Sequence, residues 1–243
     1  MFRFTRHGFR EMLIGTVVLI VTAIALGWTW WPLALICIPV LFWLFAFFRD
    51  PERVIPVDQH VMVSPADGTV SDITEVENDE LLGGPAVRVG IFLSVFNVHV
   101  NRAPCDGKVH KIVDKPGKFI NAMRHGDASS ENMAKTIVIQ EPDTDRPIAV
   151  VKLIVGMIAR RIIFTPRENE LVQRGQRIGM IKFGSRTELY VPKRLEPQVK
   201  VQIGQTVRGG ADVIVVLNNP IHTSVKQIDD EEMEPLVGRE SPA

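Results

Sequence analysis

Near its start the 243-residue chain has a run of 37 residues, 12–48, that contains no charged side chain. A helix that crosses a bilayer core of about 30 Å needs about 20 apolar residues, so this run is long enough for one full crossing. A cleaved signal peptide fits poorly, because its apolar core has only about 7–15 residues. The run therefore predicts a membrane-associated segment, which we place at residues 1–53.

The middle of this run is interrupted by residues that favour a turn, namely Gly27, Trp28, Trp30, Trp31 and Pro32. Indole rings are typical of the membrane–water interface, and proline interrupts a helix, so the run predicts a hairpin of two short apolar helices. Two full crossings would need about 40 residues. A transmembrane hairpin and a monotopic hairpin in one leaflet therefore both remain open.

Arginines lie on both sides of the uncharged run: Arg3, Arg6 and Arg10 before it, and Arg49 and Arg53 after it. Basic residues next to membrane segments are retained on the cytoplasmic side. Both ends of the hairpin, and the domain that follows, are therefore predicted to lie at the cytoplasmic face of the cell membrane.

Composition excludes several classes of protein. Residues 49–243 carry 25 basic and 27 acidic side chains, so they offer no basic surplus to the phosphates of a nucleic acid. The chain has two cysteines, Cys37 and Cys105, which form neither a disulfide framework nor a multi-thiolate metal site. We therefore expect a reducing compartment, no nucleic acid partner and no metal.

From Val54 onward the sequence changes to short β-rich runs separated by Gly, Pro and Asp, and the one short helix candidate lies near residues 119–124. The predicted strands are 61–63, 86–94, 136–140, 148–155 and 213–217. We expect a mainly β (α+β) domain over residues 54–225, followed by an acidic tail, 226–243, to which we assign no chemistry.

Two internal echoes refine this prediction. Residues 65–73, which contain Pro-Ala-Asp-Gly, return as residues 104–112 with Pro-Cys-Asp-Gly, and residues 172–178 return as 201–207. We interpret both echoes as tight turns with positive φ between short strands. Repeated turns of this kind favour a barrel-like sandwich of short hairpins resembling duplicated lipoyl-type units, which indicates architecture and not function.

Two short segments could carry chemistry. His99 lies in a polar cluster directly after an apolar strand, at a position where rigid scaffolds present catalytic groups. Gly184-Ser185 is the single Gly-Ser pair of the chain and lies between two predicted strands. Taken alone, His99 could be an ordinary structural histidine and Gly184-Ser185 an ordinary turn.

Taken together, the segments resemble the short bacterial form of the phosphatidylserine decarboxylase family, a family of pyruvoyl-dependent proenzymes. The parts occur in the order of that family: an apolar hairpin, Ser64-Pro-Ala-Asp67-Gly68, the segment with His99, and Phe183-Gly184-Ser185-Arg186 followed by about 60 residues. The occurrence of all these parts in this order is far more specific than any one part alone.

The resemblance implies self-cleavage between Gly184 and Ser185, in which Ser185 becomes a covalent pyruvoyl cofactor. It also implies a heterodimer of a β chain, 1–184, and an α chain, 185–243. Asp67 matches the aspartate of the family's processing relay, in which a His–Asp pair activates the serine. His99 matches the histidine that would serve decarboxylation and, in this chain, processing as well.

The chain departs from longer members of the family at two places. Those members have a second histidine where this chain has Arg102, and Leu-Gly-Ser-Thr in place of Phe-Gly-Ser-Arg. The base that activates Ser185 is therefore left open between His99 and His125. Candidates for binding the lipid phosphate are Arg102, Lys182 and Arg186, although a solvated surface position is the default expectation for each.

The activity implied by the resemblance is the conversion of phosphatidylserine to phosphatidylethanolamine and CO2 in phospholipid biosynthesis. One alternative is decarboxylation of a related lipid, such as archaetidylserine. Another is a membrane-anchored adaptor with a lipoyl-like sandwich and no catalysis. The adaptor explains the hairpin and the turns, but neither Val-Gln-x-Gly-Gln turn has a lysine for lipoylation.

Overall fold

The structure, a computed structural model, describes residues 3–119, 129, 131–156, 161–182 and 185–219. It begins with two apolar helices, α1 at Phe9–Ala34 and α2 at Cys37–Phe47. Trp30 has non-helical torsion angles within α1, two residues before Pro32. The predicted interruption of the apolar run is therefore present as a kink, followed by a second helix.

The two helices pack against each other as the arms of a hairpin. A Cβ atom added to Gly15 would lie 2.7 Å from Leu44, so glycine permits the close approach of the arms. The ends of the hairpin also pair, because the Thr5 amide donates to the Phe48 carbonyl at 3.0 Å. Among the described residues, Arg6–Ala34 is the one helical stretch long and apolar enough to cross a membrane, with a mean hydropathy of 2.2.

The remainder of the described chain is mainly β, as predicted. The strands are β1 Val61–Val63, β2 Gly68–Asp79, β3 Gly84–Leu93, β4 Val100–Arg102, β5 Gly107–Lys115, β6 Ala134–Gln140, β7 Pro147–Val155, β8 Ile162–Phe164, β9 Leu171–Val172, β10 Arg177–Ile181, β11 Ser185–Pro192, β12 Pro197–Val199, β13 Thr206–Val207 and β14 Val213–Leu217.

Eight of these strands form one curled, half-barrel sheet in the order β13-β2-β3-β11-β7-β6-β5-β9, with antiparallel pairing throughout. Two three-stranded sheets, β1-β14-β12 and β4-β10-β8, complete the domain. Strand β11 lies in the middle of the large sheet, paired with β3 and β7. Any group at the start of β11 is therefore held from both sides.

The main hydrophobic core lies against one face of this sheet. Side chains alternate along a strand, so Leu189 and Val191 of β11 point to the same face, where they pack with Ile91 of β3 and Val151 of β7. Burying each such side chain stabilises the fold by about 1.5–3 kcal/mol. This packing makes β11 a rigid support for the residues at its start.

The two echoes have different structural reasons. Gly175 and Gly204 have φ of +75° and +88°, as predicted for turns. The expectation of positive φ at the two Asp-Gly pairs is wrong, because neither Gly68 nor Gly107 is among the glycines with positive φ. These two glycines instead permit close contact between strands. A Cβ atom on Gly68 would lie 2.3 Å from the Phe92 carbonyl oxygen, and one on Gly107 would lie 2.5 Å from Ile139.

Three of the sequence predictions lie outside the described residues: the acidic tail at 226–243, residues 120–124 of the short helix candidate, and His125.

Candidate active site

Ser185 is the first residue of β11 and pairs with Leu93 of β3 and Val155 of β7. The residue is completely buried, and its Oγ atom has no hydrogen-bond partner among the described residues. Buried hydroxyl groups normally have such a partner, so an unpartnered one is a candidate reactive group. Gly184, on the other side of the predicted cleavage point, lies outside the described residues.

His99 lies directly before β4 and is also completely buried. Its backbone carbonyl accepts a hydrogen bond of 3.3 Å from the amide of Ile181, the last residue of β10. Only residues 182–184 separate Ile181 from Ser185. The pairing of β4 with β10 therefore brings His99 next to the segment that leads into Ser185.

A second contact joins the same two regions. The side-chain amide of Asn101 donates a hydrogen bond of 2.9 Å to the hydroxyl of Thr187. Strand β4 directly follows His99, and β11 begins at Ser185. This hydrogen bond therefore joins the strand next to His99 to the strand that carries Ser185.

The protonation state of His99 follows from its surroundings. Nδ1 lies 2.9 Å from the Asn97 carbonyl oxygen, which can only accept, so Nδ1 carries the proton and Nε2 is the basic nitrogen of the neutral ring. Burial, with a smaller contribution from the nearby charge of Arg49, lowers the pKa of His99 to about 4. The ring is therefore neutral at pH 7 and can accept a proton.

Asp67 is held by a cation and a backbone amide. Its carboxylate accepts hydrogen bonds from Nη2 of Arg53 at 2.6 Å and from the Gly209 amide at 2.8 Å. Burial raises the pKa of Asp67, and the charge of Arg53 opposes that effect. In the echo, Asp106 accepts a bond of 2.8 Å from the Arg174 amide, so both aspartates brace a neighbouring turn.

The three cations considered for the lipid phosphate are not solvated, so that default expectation is wrong for each of them. They are buried and paired with carboxylates: Arg102 with Asp50 at 3.0 Å, Lys182 with Glu11, and Arg186 with Glu188 at 2.8 Å. A buried cation is stable only when a counter-charge accompanies it. Each of these cations is therefore neutralised by a carboxylate of the same chain, which weakens its candidacy for binding the phosphate.

The sequence prediction missed a polar network on the opposite face of β11. Arg186 and Glu188 are completely buried, and Arg186 also binds Asp72 of β2. Glu188 accepts further hydrogen bonds from the hydroxyls of Ser129 and Tyr190, at 3.0 and 2.8 Å. The period-two pattern Arg-x-Glu-x-Tyr on a strand was the available signal. This network fixes the residue that directly follows Ser185.

A cavity of about 620 Å³ lies at the base of the hairpin. Its wall includes Val100, the neighbour of His99 in the chain. The lining is rich in cationic and imidazole side chains, with one carboxylate; the charged or titratable members are Arg3, Arg6, His7, Asp50 and Arg177. Asp50 binds Arg177 and Glu52 binds Arg3, but basic side chains still outnumber acidic ones in this lining, which suits an anionic ligand.

Residues 41–215, which include Asp67, His99 and Ser185, match the family model of phosphatidylserine decarboxylase. The chain belongs to the phosphatidylserine decarboxylase family. It is also 42% identical, over 210 residues, to a phosphatidylserine decarboxylase proenzyme from Rhodopirellula baltica, and the match covers 86% of each chain. The predicted family and the predicted enzyme class, a carboxy-lyase, are thereby confirmed. A non-catalytic adaptor is disfavoured.

Proposed function

We propose that this chain is a self-cleaving, pyruvoyl-dependent decarboxylase that converts phosphatidylserine to phosphatidylethanolamine and CO2. The observation that carries the proposal is the buried Oγ atom of Ser185, which has no hydrogen-bond partner among the described residues. It stands at the family's cleavage position, in a chain similar to a protein named a proenzyme.

Self-cleavage begins when a base accepts the proton of the Ser185 hydroxyl. The Oγ atom attacks the carbonyl carbon of Gly184, the peptide bond breaks, and an ester with a free amine at residue 185 forms. Elimination then breaks the Cβ–Oγ bond, which releases residues 1–184 with a terminal carboxylate and leaves dehydroalanine. Water converts this residue to the pyruvoyl group and ammonia. Ser185 fits the precursor because no described partner competes for its hydroxyl.

We assign the role of base to His99. The ring is neutral at pH 7, its Nδ1 is committed to Asn97, and its Nε2 is the nitrogen that can accept a proton. Asp67 contributes negative charge to the relay, which favours a protonated imidazole during the transfer. These three roles, with Gly184 as the cleavage site, are supported by the family match and by the burial of the described residues.

In decarboxylation the pyruvoyl carbonyl supplies the electron sink that accepts the charge left when CO2 departs. His99 returns a proton to the former α-carbon of the substrate, a general-acid step typically worth about 10²–10⁴-fold in rate. The two chains stay together after cleavage, because β11 remains paired with β3 along Ser185–Pro192 and with β7 along Ser185–Tyr190.

Membrane association places the substrate within reach. The apolar hairpin holds the β domain at the cytoplasmic surface of the cell membrane, supported by the arginines on both sides of the uncharged run. The cationic cavity at the hairpin base lies where a lipid headgroup would enter, so we assign the phosphate to it. We retain the domain limits 1–53, 54–225 and 226–243 for these parts.

The test is decarboxylation by purified full-length protein in mixed micelles. The proposal predicts release of CO2 and phosphatidylethanolamine in equal amounts from ester-linked phosphatidylserine. The same assay is run with the ether-linked analogue archaetidylserine at equal surface concentration. The ratio of the two kcat/KM values then shows which lipid the enzyme prefers. If neither lipid releases CO2, the proposed decarboxylase activity is refuted. If kcat/KM is higher for the ether lipid, archaetidylserine and not phosphatidylserine is the preferred substrate.

A further inference from the structure

The segment that leaves the membrane hairpin, residues 47–53, contacts His99, Asp67 and the small sheet between them and Ser185; we call it the exit strap. It includes the last residue of α2 and ends before the β domain. A simple tether between an anchor and an enzyme would be solvated. Phe47, Phe48 and Asp50 are instead buried, with at most 5% of their surface exposed.

The first contact is with His99. The ring of Phe47 lies with its centroid 4.4 Å from that of the His99 ring, at an interplanar angle of 33°. Two residues further, Nη2 of Arg49 donates a hydrogen bond of 2.8 Å to the carbonyl of Phe96, in the loop that leads to His99. The strap therefore covers the imidazole and holds the loop that carries it.

The second contact ties the strap to the small sheet. Asp50 accepts a hydrogen bond of 3.0 Å from Arg102 of β4 and also binds Arg177 of β10. Arg102 in addition donates to the Pro51 carbonyl at 3.1 Å. These are the two strands whose pairing brings His99 next to Ile181.

The third contact is with Asp67. The 2.6 Å pair between Arg53 and Asp67 is largely buried, with 14% and 13% of the two side chains exposed. From the other arm of the hairpin, Glu11 of α1 binds Lys182, which lies three positions before Ser185. The hairpin thus touches the segments of all three predicted catalytic residues.

We propose that the exit strap positions the catalytic groups, with Phe47 acting on His99 and Arg53 acting on Asp67, so that self-cleavage requires the hairpin to be docked on the β domain. This inference rests on the proposed function. It adds positioning residues outside the motifs of the site, and it makes the membrane element part of the catalytic machinery.

The physical basis at Asp67 is charge. A carboxylate buried without a cation has a raised pKa and is protonated at a higher pH, because burial disfavours its charged form. Besides Arg53, the cations that face Asp67 are Arg49, Arg102 and Arg208, and the Gly209 amide donates to it. Arg53 is the cation hydrogen-bonded to it, so its removal should raise the pKa of Asp67.

The first experiment measures the rate of self-cleavage of the full chain, made by cell-free synthesis with lipid vesicles, as a function of pH. We expect Arg53→Gln to cleave at least about tenfold more slowly than wild type at pH 7 and to recover as the pH rises. Arg53→Lys keeps the charge and should stay within about twofold of wild type. Lys193→Gln, which removes the exposed pair between Lys193 and Glu75 far from the site, is the matched control.

The second experiment examines the other end of the strap. Phe47→Ala exposes His99 to water, which should slow cleavage and shift its acidic limb to higher pH, because hydration favours the imidazolium. The charge of Arg49, which also acts on the ring, is unchanged in this variant. Phe42→Ala, on the same helix but 76% exposed, should cleave like wild type. Flotation with vesicles should be unchanged in both variants.

The outcomes separate this inference from the proposed function. A wild-type chain that never cleaves would refute the proposed function. A wild-type chain that cleaves, while Arg53→Gln and Phe47→Ala match its rate at every pH, would refute the exit strap alone. A uniform loss at every pH, with no recovery in Arg53→Gln and no shift in Phe47→Ala, would also refute it, because that pattern indicates general destabilisation.

Discussion

Gly90 of β3 lies directly beneath the guanidinium group of Arg186: a Cβ atom on Gly90 would lie 2.1 Å from Nη2 of Arg186 and 2.5 Å from Oδ1 of Asp72. The absence of a side chain at residue 90 therefore makes room for the buried pair of Arg186 and Asp72. Because Arg186 directly follows Ser185, this pair fixes the backbone at the start of β11.

Gly90→Ala should disrupt this pair. Overpacking of a filled site costs about 1–3 kcal/mol, so we expect a loss of stability of that size in urea unfolding, together with slower self-cleavage. Gly84→Ala on the same strand is the control, because no atom lies within 4 Å of its added Cβ atom. Equal behaviour of the two variants would show that the Arg186 site is not tightly packed.

His99→Gln should lower turnover even in molecules that are already cleaved. A general acid typically contributes about 10²–10⁴-fold, so kcat per cleaved molecule should fall within that range. The control is His110→Gln, because His110 is exposed on β5. Turnover at the wild-type rate in cleaved His99→Gln protein would remove His99 from this step.

The buried imidazole also predicts a pH dependence of stability. His99 has a pKa of about 4 in the folded chain, against 6.5 as the ordinary value, so the unfolded chain binds the extra proton first as the pH falls. The free energy of unfolding should therefore be highest above pH 6.5, where the ring is neutral in both states, and should decline as the pH falls towards 4. The free energy of unfolding of wild type minus that of His99→Gln should decrease across this window; a constant difference would contradict the burial of His99.

Charges placed on the outer face of α1 should release the protein from membranes. Val21 and Ile24 are 61% and 65% exposed, and an aspartate near the centre of a membrane helix costs about 2.5–3.5 kcal/mol. We expect the double variant Val21→Asp/Ile24→Asp to lose flotation with vesicles but to cleave in detergent. Val57→Asp, 89% exposed and beyond the exit strap, should still float. Flotation of the double variant would refute insertion of α1.

The sequence predicted the parts of the molecule that depend on local pattern. The hairpin and the main strands follow from uncharged length, alternation and turn residues. Gly184-Ser185 was expected to interrupt two strands, whereas Ser185 is the first residue of β11. The partners of the buried charges did not follow, because Arg186 binds Asp72 across 114 positions and Arg102 binds Asp50 across 52. A one-dimensional pattern contains no signal for such contacts, so these arginines resembled surface residues.

The exit strap was missed for a related reason. The sequence marks residues 47–53 as the end of an apolar run with flanking arginines, which satisfies the rule for membrane orientation. The second role of Arg53, as the partner of Asp67, requires the fold of β2 and the Gly209 turn to bring the carboxylate to it. Asp67 itself could be identified from the sequence, because its motif occurs together with the His99 segment and Gly184-Ser185 in the order of the family.

The most direct test of self-cleavage at Ser185 is the intact mass of the purified, active wild-type protein under denaturing conditions. We expect two chains, residues 1–184 and residues 185–243, the second with a blocked N-terminus that carries a carbonyl in place of the serine amine. Ser185→Ala should give one uncut chain of 243 residues. An active wild-type protein that consists of a single uncut chain of full length would contradict self-cleavage.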